Sequence, residues 1–403
     1  MMKTLLTWIF LIILICEYQS FACTTAIISG KYTSDGRSLL YKHRDSGQYQ
    51  NKLQYFTDGK FDYIGLINSS DATGNEIWMG CNSSGFAIMN SASYNLIEKD
   101  TIKLKDREGF VMKAALKNCK TLQDFEKLLQ DMPKPLGVEA NFGVIDANGG
   151  AAYYETDNFN FVKFDANNTQ IAPHGYIIRT NYSFDRNQND GYGYIRYLNA
   201  ENLFYEAAAT NDLNARFIIQ KVSRNLKHSL TNTDLTKLLP SDYEDQKFVA
   251  FQDYTPRYSS VSLMVVQGVK AGESPLMATI WTILGFPLCS VAVPTWIGGG
   301  SDLPSILISD DNGNAPLCDM ALKLKKECFP IERGSGKKYL NLAVLMNQNG
   351  NGIMQKLLPL ENSILQKSES YIEKWRDKEF DSGDVQELYK WIDSKVRSTY
   401  SQF

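Results

Sequence analysis

The chain has 403 residues, 43% hydrophobic, 22% charged and 12% aromatic, with a formal net charge of −3. Such a composition supports a large buried core and excludes wholesale disorder. It contains no basic run and no basic patch interleaved with aromatics, so no nucleic-acid partner is expected, and nothing in its charge pattern favours a membrane surface.

The N-terminus reads Met1-Met2-Lys3, then an apolar run from Leu5 to Cys16, then Glu17-Tyr18-Gln19-Ser20. These are the charged, apolar and polar regions of an export leader. The apolar run is about a dozen residues, short of the ~20 that a membrane-spanning helix needs. Ser20 and Ala22 meet the small-residue rule, so residues 1–22 are expected to be a signal peptide and Cys23 the first residue of a periplasmic or extracellular protein. No transmembrane span is expected after leader removal: residues 277–293 are apolar, but Pro287 interrupts them, which predicts buried strands and a loop.

An alternating strand is expected at 24–31. A turn at Thr33-Ser34-Asp35-Gly36 and a return strand at 38–43 follow, making a β-hairpin. Further strands are expected at 63–68, 86–90, 140–146, 151–155, 159–164, 176–180 and 260–266, several joined by Gly/Asn/Asp turns. Helices are expected at 109–117 and 121–130, with Thr121 as an N-cap, and at 195–208 and 212–222. The amphipathic, highly charged tail over 364–400 predicts surface helices. Strands and helices fall in runs rather than alternating, which argues for an α+β fold with mostly antiparallel sheet. The expected organisation is one body over 23–350 and a helical extension over 351–403 packed on it.

Seven cysteines (16, 23, 81, 119, 289, 318 and 328) and three histidines (43, 174 and 228) are present. That is too few cysteines for a disulfide scaffold; Cys318 and Cys328 are the expected pair by proximity. No spacing resembles a zinc site, so neither a metal nor a cofactor is expected. An N-terminal cysteine carries nucleophile and base on one residue. Its α-amine, with an ordinary pKa near ~7.7–8.0, can take the thiol proton and return it to a leaving amine. No separate Cys/His constellation is evident, although His43 is available. Two other readings of Cys23 stand beside this one: a lipid-anchored cysteine, for which only Ala22 fits the usual preceding pattern, and a buried structural cysteine.

A three-residue loop at 34–36 with Gly36 left-handed pairs Thr25 with Asp45. Cys23 and Asp45 then share a face, and Arg44 points to the other. A two-residue loop reverses the assignment.

The segment "CTTAIISGKYTSDGRSLLYKHRD" behind a leader, with "EANFGVIDANGGAAYYET", "YIIRTNYSF" and "QDYTPR", resembles the cysteine N-terminal-nucleophile (Ntn) amide hydrolases. These include choloylglycine hydrolases, penicillin V acylases, acid ceramidase-like enzymes and acyl-coenzyme A:6-aminopenicillanate acyltransferases, the last being the nearest likeness. The likeness spans residues 23 to about 300 and is weak beyond. It implies an αββα four-layer sandwich. It also implies Cys23 as nucleophile, Asp45 as holder of its amine, Asn181 and Asn90 as oxyanion donors, and Arg257 as a steadying cation. The family arginine three residues before the aspartate is replaced by Lys42, with Arg44 adjoining Asp45; either is a candidate for that role. Asn181-Tyr182-Ser183 is also a glycosylation-type triplet, and Tyr94, Phe142 and Phe184 are candidates for an acyl pocket or for the core.

The resemblance thus implies an exported hydrolase or acyltransferase that cleaves a small-molecule N-acyl amide through an acyl-thioester on Cys23. The alternative is a lipid-anchored, non-catalytic binding protein. Acyl group, amine and homo-oligomerisation stay open.

Overall fold

A computed structural model describes residues 22–97, 101–378 and 380–403; the expected leader, apart from Ala22, lies outside them. The chain opens with β1 (Thr24–Ile28) and β2 (Leu39–Asp45). It then crosses to a second layer as β3 (Asn51–Phe56), β4 (Tyr63–Asn68), β5 (Met79–Asn82) and β6 (Ala87–Ala92). Helices α1 (Glu108–Asn118) and α2 (Leu122–Asp131) intervene before β7 (Ala140–Ile145), β8 (Ala151–Thr156) and β9 (Phe161–Asp165). The path returns to the first layer through β10 (Tyr176–Arg179) and α3 (Tyr194–Ala209). It ends with β11 (Ser260–Gln267), β12 (Thr279–Leu284), β13 (Val293–Thr295), α4 (Pro316–Cys328), α5 (Ile353–Asp377) and α6 (Ser382–Tyr400).

The strands make two antiparallel sheets: a six-stranded one in the order β10-β1-β2-β11-β12-β13, and a seven-stranded meander β3 through β9. They pack face to face through β1 and β2 against β6, β7 and β8, and Tyr153 Oη on β8 donates to Thr25 Oγ1 on β1 at 2.8 Å. Helices α1 and α2 cover the far side of the meander, where Phe125 meets Phe86, Phe142 and Tyr154. Helix α3, α4 and the C-terminal pair cover the far side of the other sheet. The architecture is therefore an α+β sandwich of four layers, αββα.

Local chemistry explains the boundaries. Thr121 caps α2 through a capping box: Asp124 N donates to Thr121 Oγ1 at 3.2 Å, and Thr121 N donates to an Asp124 carboxylate oxygen at 3.0 Å. The C-terminal helices dock by their apolar stripes, with Trp296 edge-on to Trp375 at 5.0 Å and Trp296 N donating to Tyr389 Oη at 2.9 Å. Strands β3 and β5 and helix α4 are absent from the sequence expectation. β5 is four residues between an indole and an Asx turn, too short for a period to register.

The first hairpin departs from expectation. Its loop is long, with Gly36 at φ 75°, and the pairing runs Thr25↔Lys42 and Ala26↔Tyr41. The parity is thus that of the reversed assignment: Lys42 and Arg44, not Asp45, share the pleat face of Cys23. The expected pairing of Cys318 with Cys328 also fails. They stand ten positions apart on one helix, about 15 Å, far beyond disulfide reach. Instead Cys328 Sγ lies 3.6 Å from Cys289 Sγ. Peptide mapping of the unreduced protein is expected to recover no Cys318–Cys328 peptide; finding that link would refute the placement of α4.

Candidate functional site

Cys23 lies at the mouth of β1, between the sheets, and is only 6% exposed. Carrying the β1–β2 register one step further sets Arg44 across from Cys23 and Asp45 across from Ala22. Asp45 therefore reaches the site along the backbone, beside the Ala22–Cys23 peptide, rather than across the pleat face.

Two guanidinium groups grip that peptide region. Arg257 Nη2 donates to the Ala22 carbonyl at 2.6 Å and to a carboxylate oxygen of Asp45. Arg196 Nη1 donates to the Cys23 carbonyl and, at 2.9 Å, to Thr24 Oγ1; its Nη2 donates to Asn181 Oδ1 at 2.7 Å. Burial pulls the pKa of each down to about 10, so both stay cationic at neutral pH.

A bulge in β11 aims the next member. Ser262 pairs with Arg44 while Ser260 pairs with Asp45, and Ser260 Oγ donates to Asp45 Oδ1 at 2.6 Å. With its single proton given to Asp45, that hydroxyl accepts from Arg257 N at 2.9 Å and from His43 Nε2 at 2.8 Å. The imidazole proton is thereby assigned to Nε2. Burial, reinforced by Arg257 and Arg196, holds the His43 pKa well below its ordinary value, so the ring is neutral. His43 sits on the opposite pleat face from Cys23 and supports Asp45 rather than facing the thiol.

Asn181 is fully buried, with Nδ2 donating to the Ala92 carbonyl at 2.9 Å. Ser183 N donates to Asn95 Oδ1 at 2.7 Å, and Ser183 Oγ donates to Asn141 Oδ1 at 2.6 Å. These bonds lock the segment after β10. A glycan on Asn181 has no room here, which disposes of the glycosylation reading.

Lys42 and Arg44 separate cleanly. Lys42 Nζ donates to Asn90 Oδ1 at 2.5 Å and to the Trp78 carbonyl at 2.8 Å. Arg44 donates to Asn51 Oδ1 and Asn68 Oδ1 and lies over the Trp78 ring at 4.7 Å. Arg44 thus ties β2 to β3 and β4, while Lys42 alone reaches Asn90. Asn90 pairs with Phe142 on β7, and the Phe142 ring is in the helix-side core, not in an acyl pocket. Asn90 therefore joins the site through Lys42, whereas Asn181 joins it through Arg196. Burial lowers the Lys42 pKa to about 8.

Of the residues expected from sequence, Cys23, Asp45, Arg257 and Asn181 come together at the start of β1, Asn181 through Arg196. Arg196 and Ser260 were not foreseen. The available signal for Arg196 was a cation in the first turn of a helix, against the helix dipole and three positions after Gly193.

The sequence model of the acyl-coenzyme A:6-aminopenicillanic acid acyl-transferase family matches residues 33–241, just over half of the chain. The chain belongs to this family. No protein of curated function matches it in sequence. Among solved structures, it is similar to an N-acylethanolamine-hydrolyzing acid amidase ortholog from Caenorhabditis elegans, at 14% identity and TM-score 0.42, covering 60% of this chain and 92% of that one. A variant of the conjugated bile acid hydrolase from Clostridium perfringens aligns at 11% identity and TM-score 0.41, covering 68% of this chain and 92% of that one. The penicillin V acylase from Agrobacterium tumefaciens aligns at 11% identity and TM-score 0.41, covering 70% and 87%.

Glu108, at the start of α1, feels the Lys42 charge and accepts from Glu139 N at 3.2 Å; burial raises its pKa to about 7. A carboxyl with a raised folded-state pKa stabilises the fold most below its ordinary pKa, and this contribution is lost as pH rises through about 7. Denaturant midpoints are therefore expected to fall between pH 5 and pH 8, and Glu108→Gln to flatten that fall. An unchanged slope in the variant would refute it.

Proposed function

We propose that the protein is an exported amidohydrolase or acyltransferase of the N-terminal-cysteine type, acting on a small-molecule N-acyl amide. One observation carries the reading. Two arginines converge on Cys23, and each reaches a second group that the chemistry needs: Arg196 holds the Cys23 carbonyl and Asn181, while Arg257 holds Asp45 and, until leader removal releases it, the Ala22 carbonyl.

In the described chain the Cys23 nitrogen is an amide and has no basicity to offer. Cleavage after Ala22 makes it an amine beside the Asp45 carboxylate, which accepts from it and orients it. The amine takes the thiol proton as Sγ attacks the amide carbonyl carbon. The oxygen of the tetrahedral adduct takes up the negative charge in the field of Lys42 and Arg257, with Asn181 as donor; one such donor is typically worth ~3–4 kcal/mol. The C–N bond breaks, the amine of Cys23 passes its proton to the leaving nitrogen, and an acyl-thioester remains. Water then releases a carboxylate, or a second amine takes the acyl group, and the thiol is restored.

A lipid anchor on Cys23 fits this setting poorly. The residue is nearly buried among cations and polar side chains, and a diacylglyceryl thioether there displaces them. Among the described residues, no helix is long and apolar enough to cross a membrane. Export rests on the leader pattern.

N-terminal sequencing of the secreted protein is expected to start at Cys23 with a free amine. Cys23→Ala is expected to fold and to release no amine from a panel of acylated amines, and Asn181→Ala to lose about 10²–10³ in kcat. Undiminished turnover by Cys23→Ala, or a capped terminus, would overturn the reading.

A further inference from the structure

We propose that Arg196 is a positioning residue whose single planar guanidinium sets the geometry between the nucleophile residue and its oxyanion donor, Nη1 holding Cys23 and Thr24 and Nη2 holding Asn181. This rests on the reading of Cys23 and Asn181 given above.

Three observations carry it. The first is where the charge sits. Arg196 is the third residue of α3 and 2% exposed. A cation in the first turn opposes the helix dipole, and burial adds a desolvation penalty. No ion pair with a carboxylate offsets this among the described residues: the donors go to a carbonyl, a hydroxyl and a carboxamide oxygen. A packing role is filled better by Leu or Met at such a position.

The second is the room made for it. The chain enters α3 through an isolated bridge, Asn181↔Tyr192, and then Gly193 at φ 92°. A Cβ at Gly193 would lie 2.3 Å from Arg196 Nη2 and 2.8 Å from Cζ. The glycine meets two demands at once, the left-handed conformation and the close approach of the guanidinium.

The third is the orientation of Asn181. A carboxamide can be turned over to exchange its oxygen and nitrogen, and an oxyanion donor must show its N–H. With Arg196 donating to Oδ1 and Nδ2 donating to the Ala92 carbonyl, the reversed orientation sets N–H against guanidinium N–H and oxygen against carbonyl oxygen. The planar fork holds two partners at a fixed separation, which an ammonium does not.

The test compares two reactions of the mature full-length protein at the Cys23 thiol. Acylation by p-nitrophenyl acetate passes through a tetrahedral oxyanion: Sγ bonds to the acetyl carbon, p-nitrophenolate departs, and the thiol proton goes to the α-amine. Alkylation by iodoacetamide displaces iodide and forms no oxyanion. Arg196→Met is expected to slow acylation about 10²-fold, the scale of one oxyanion donor, while alkylation changes by no more than about twofold. In an Asn181→Ala background, the same substitution is expected to add no more than about twofold, because the two residues act as a unit. Where circular dichroism shows that Arg196→Met does not fold, Arg196→Lys takes its place with the same ratio expected to drop. Equal losses in both reactions, or additive losses in the double variant, would overturn the proposal. A wild-type Cys23 that is alkylated but never acylated would instead overturn the reading on which it rests.

Discussion

The Cys23 carbonyl is held by a buried guanidinium, and the rest of the site is arranged around that constraint. Arg257 and Arg196 donate to the Ala22 and Cys23 carbonyls, respectively. They hold the backbone where β1 begins. Guanidinium groups suit the task because they fork and stay charged even when burial lowers their pKa to about 10. Burying two of them is unfavourable unless each donor is satisfied. That requirement recruits the carboxylate of Asp45 and the carboxamide of Asn181.

A second shell of bonds keeps those partners in place. Asp45 is held from behind by Ser260, and Ser260 by a neutral His43. The bulge that brings Ser260 into line sits in β11, over two hundred residues from Cys23 in the chain. Asn181 is held by the backbone bonds of the 181–183 segment and by the entry into α3. Segments far apart in the chain, around 23–45, 181–196 and 257–260, therefore meet at the start of β1, which the pairing of the six-stranded sheet makes possible. Lys42 and Arg44 extend the same field toward the meander, and the Trp78 ring lies between them.

Much of the scaffold was legible before any coordinates. β4 and the cap of α2 read directly, because a short apolar run ends in an Asn there and Thr121 precedes an apolar period. Cys23, Asp45, Asn181 and Arg257 stand in the motifs that carry the resemblance, and the fold brings these four residues together. The hairpin register was not, because a loop with several turn residues admits more than one pairing, and a change of parity exchanges Arg44 and Asp45 between faces. Arg196 was invisible as a motif, being one arginine in a helix. Its importance lies in three acceptors drawn from distant strands. The cysteine pairing failed for a related reason: nearness along the chain ignored the rigid helix between Cys318 and Cys328, while Cys289 approached through folding.

What the sequence by itself determined are the quantities that depend on neighbours in the chain: periods, caps, turns, a leader-like start, and the order of residues carrying chemistry. These follow from local sterics and from one-dimensional hydrophobic pattern. The tertiary structure alone decided which face Cys23 shares with Lys42 and Arg44, which of those two cations reaches Asn90, and that Arg196 spans from Cys23 to Asn181. Those outcomes depend on register, bulges and sheet closure. Each is chosen by burial and hydrogen-bond satisfaction over the whole sandwich, and no window of the sequence contains that sum.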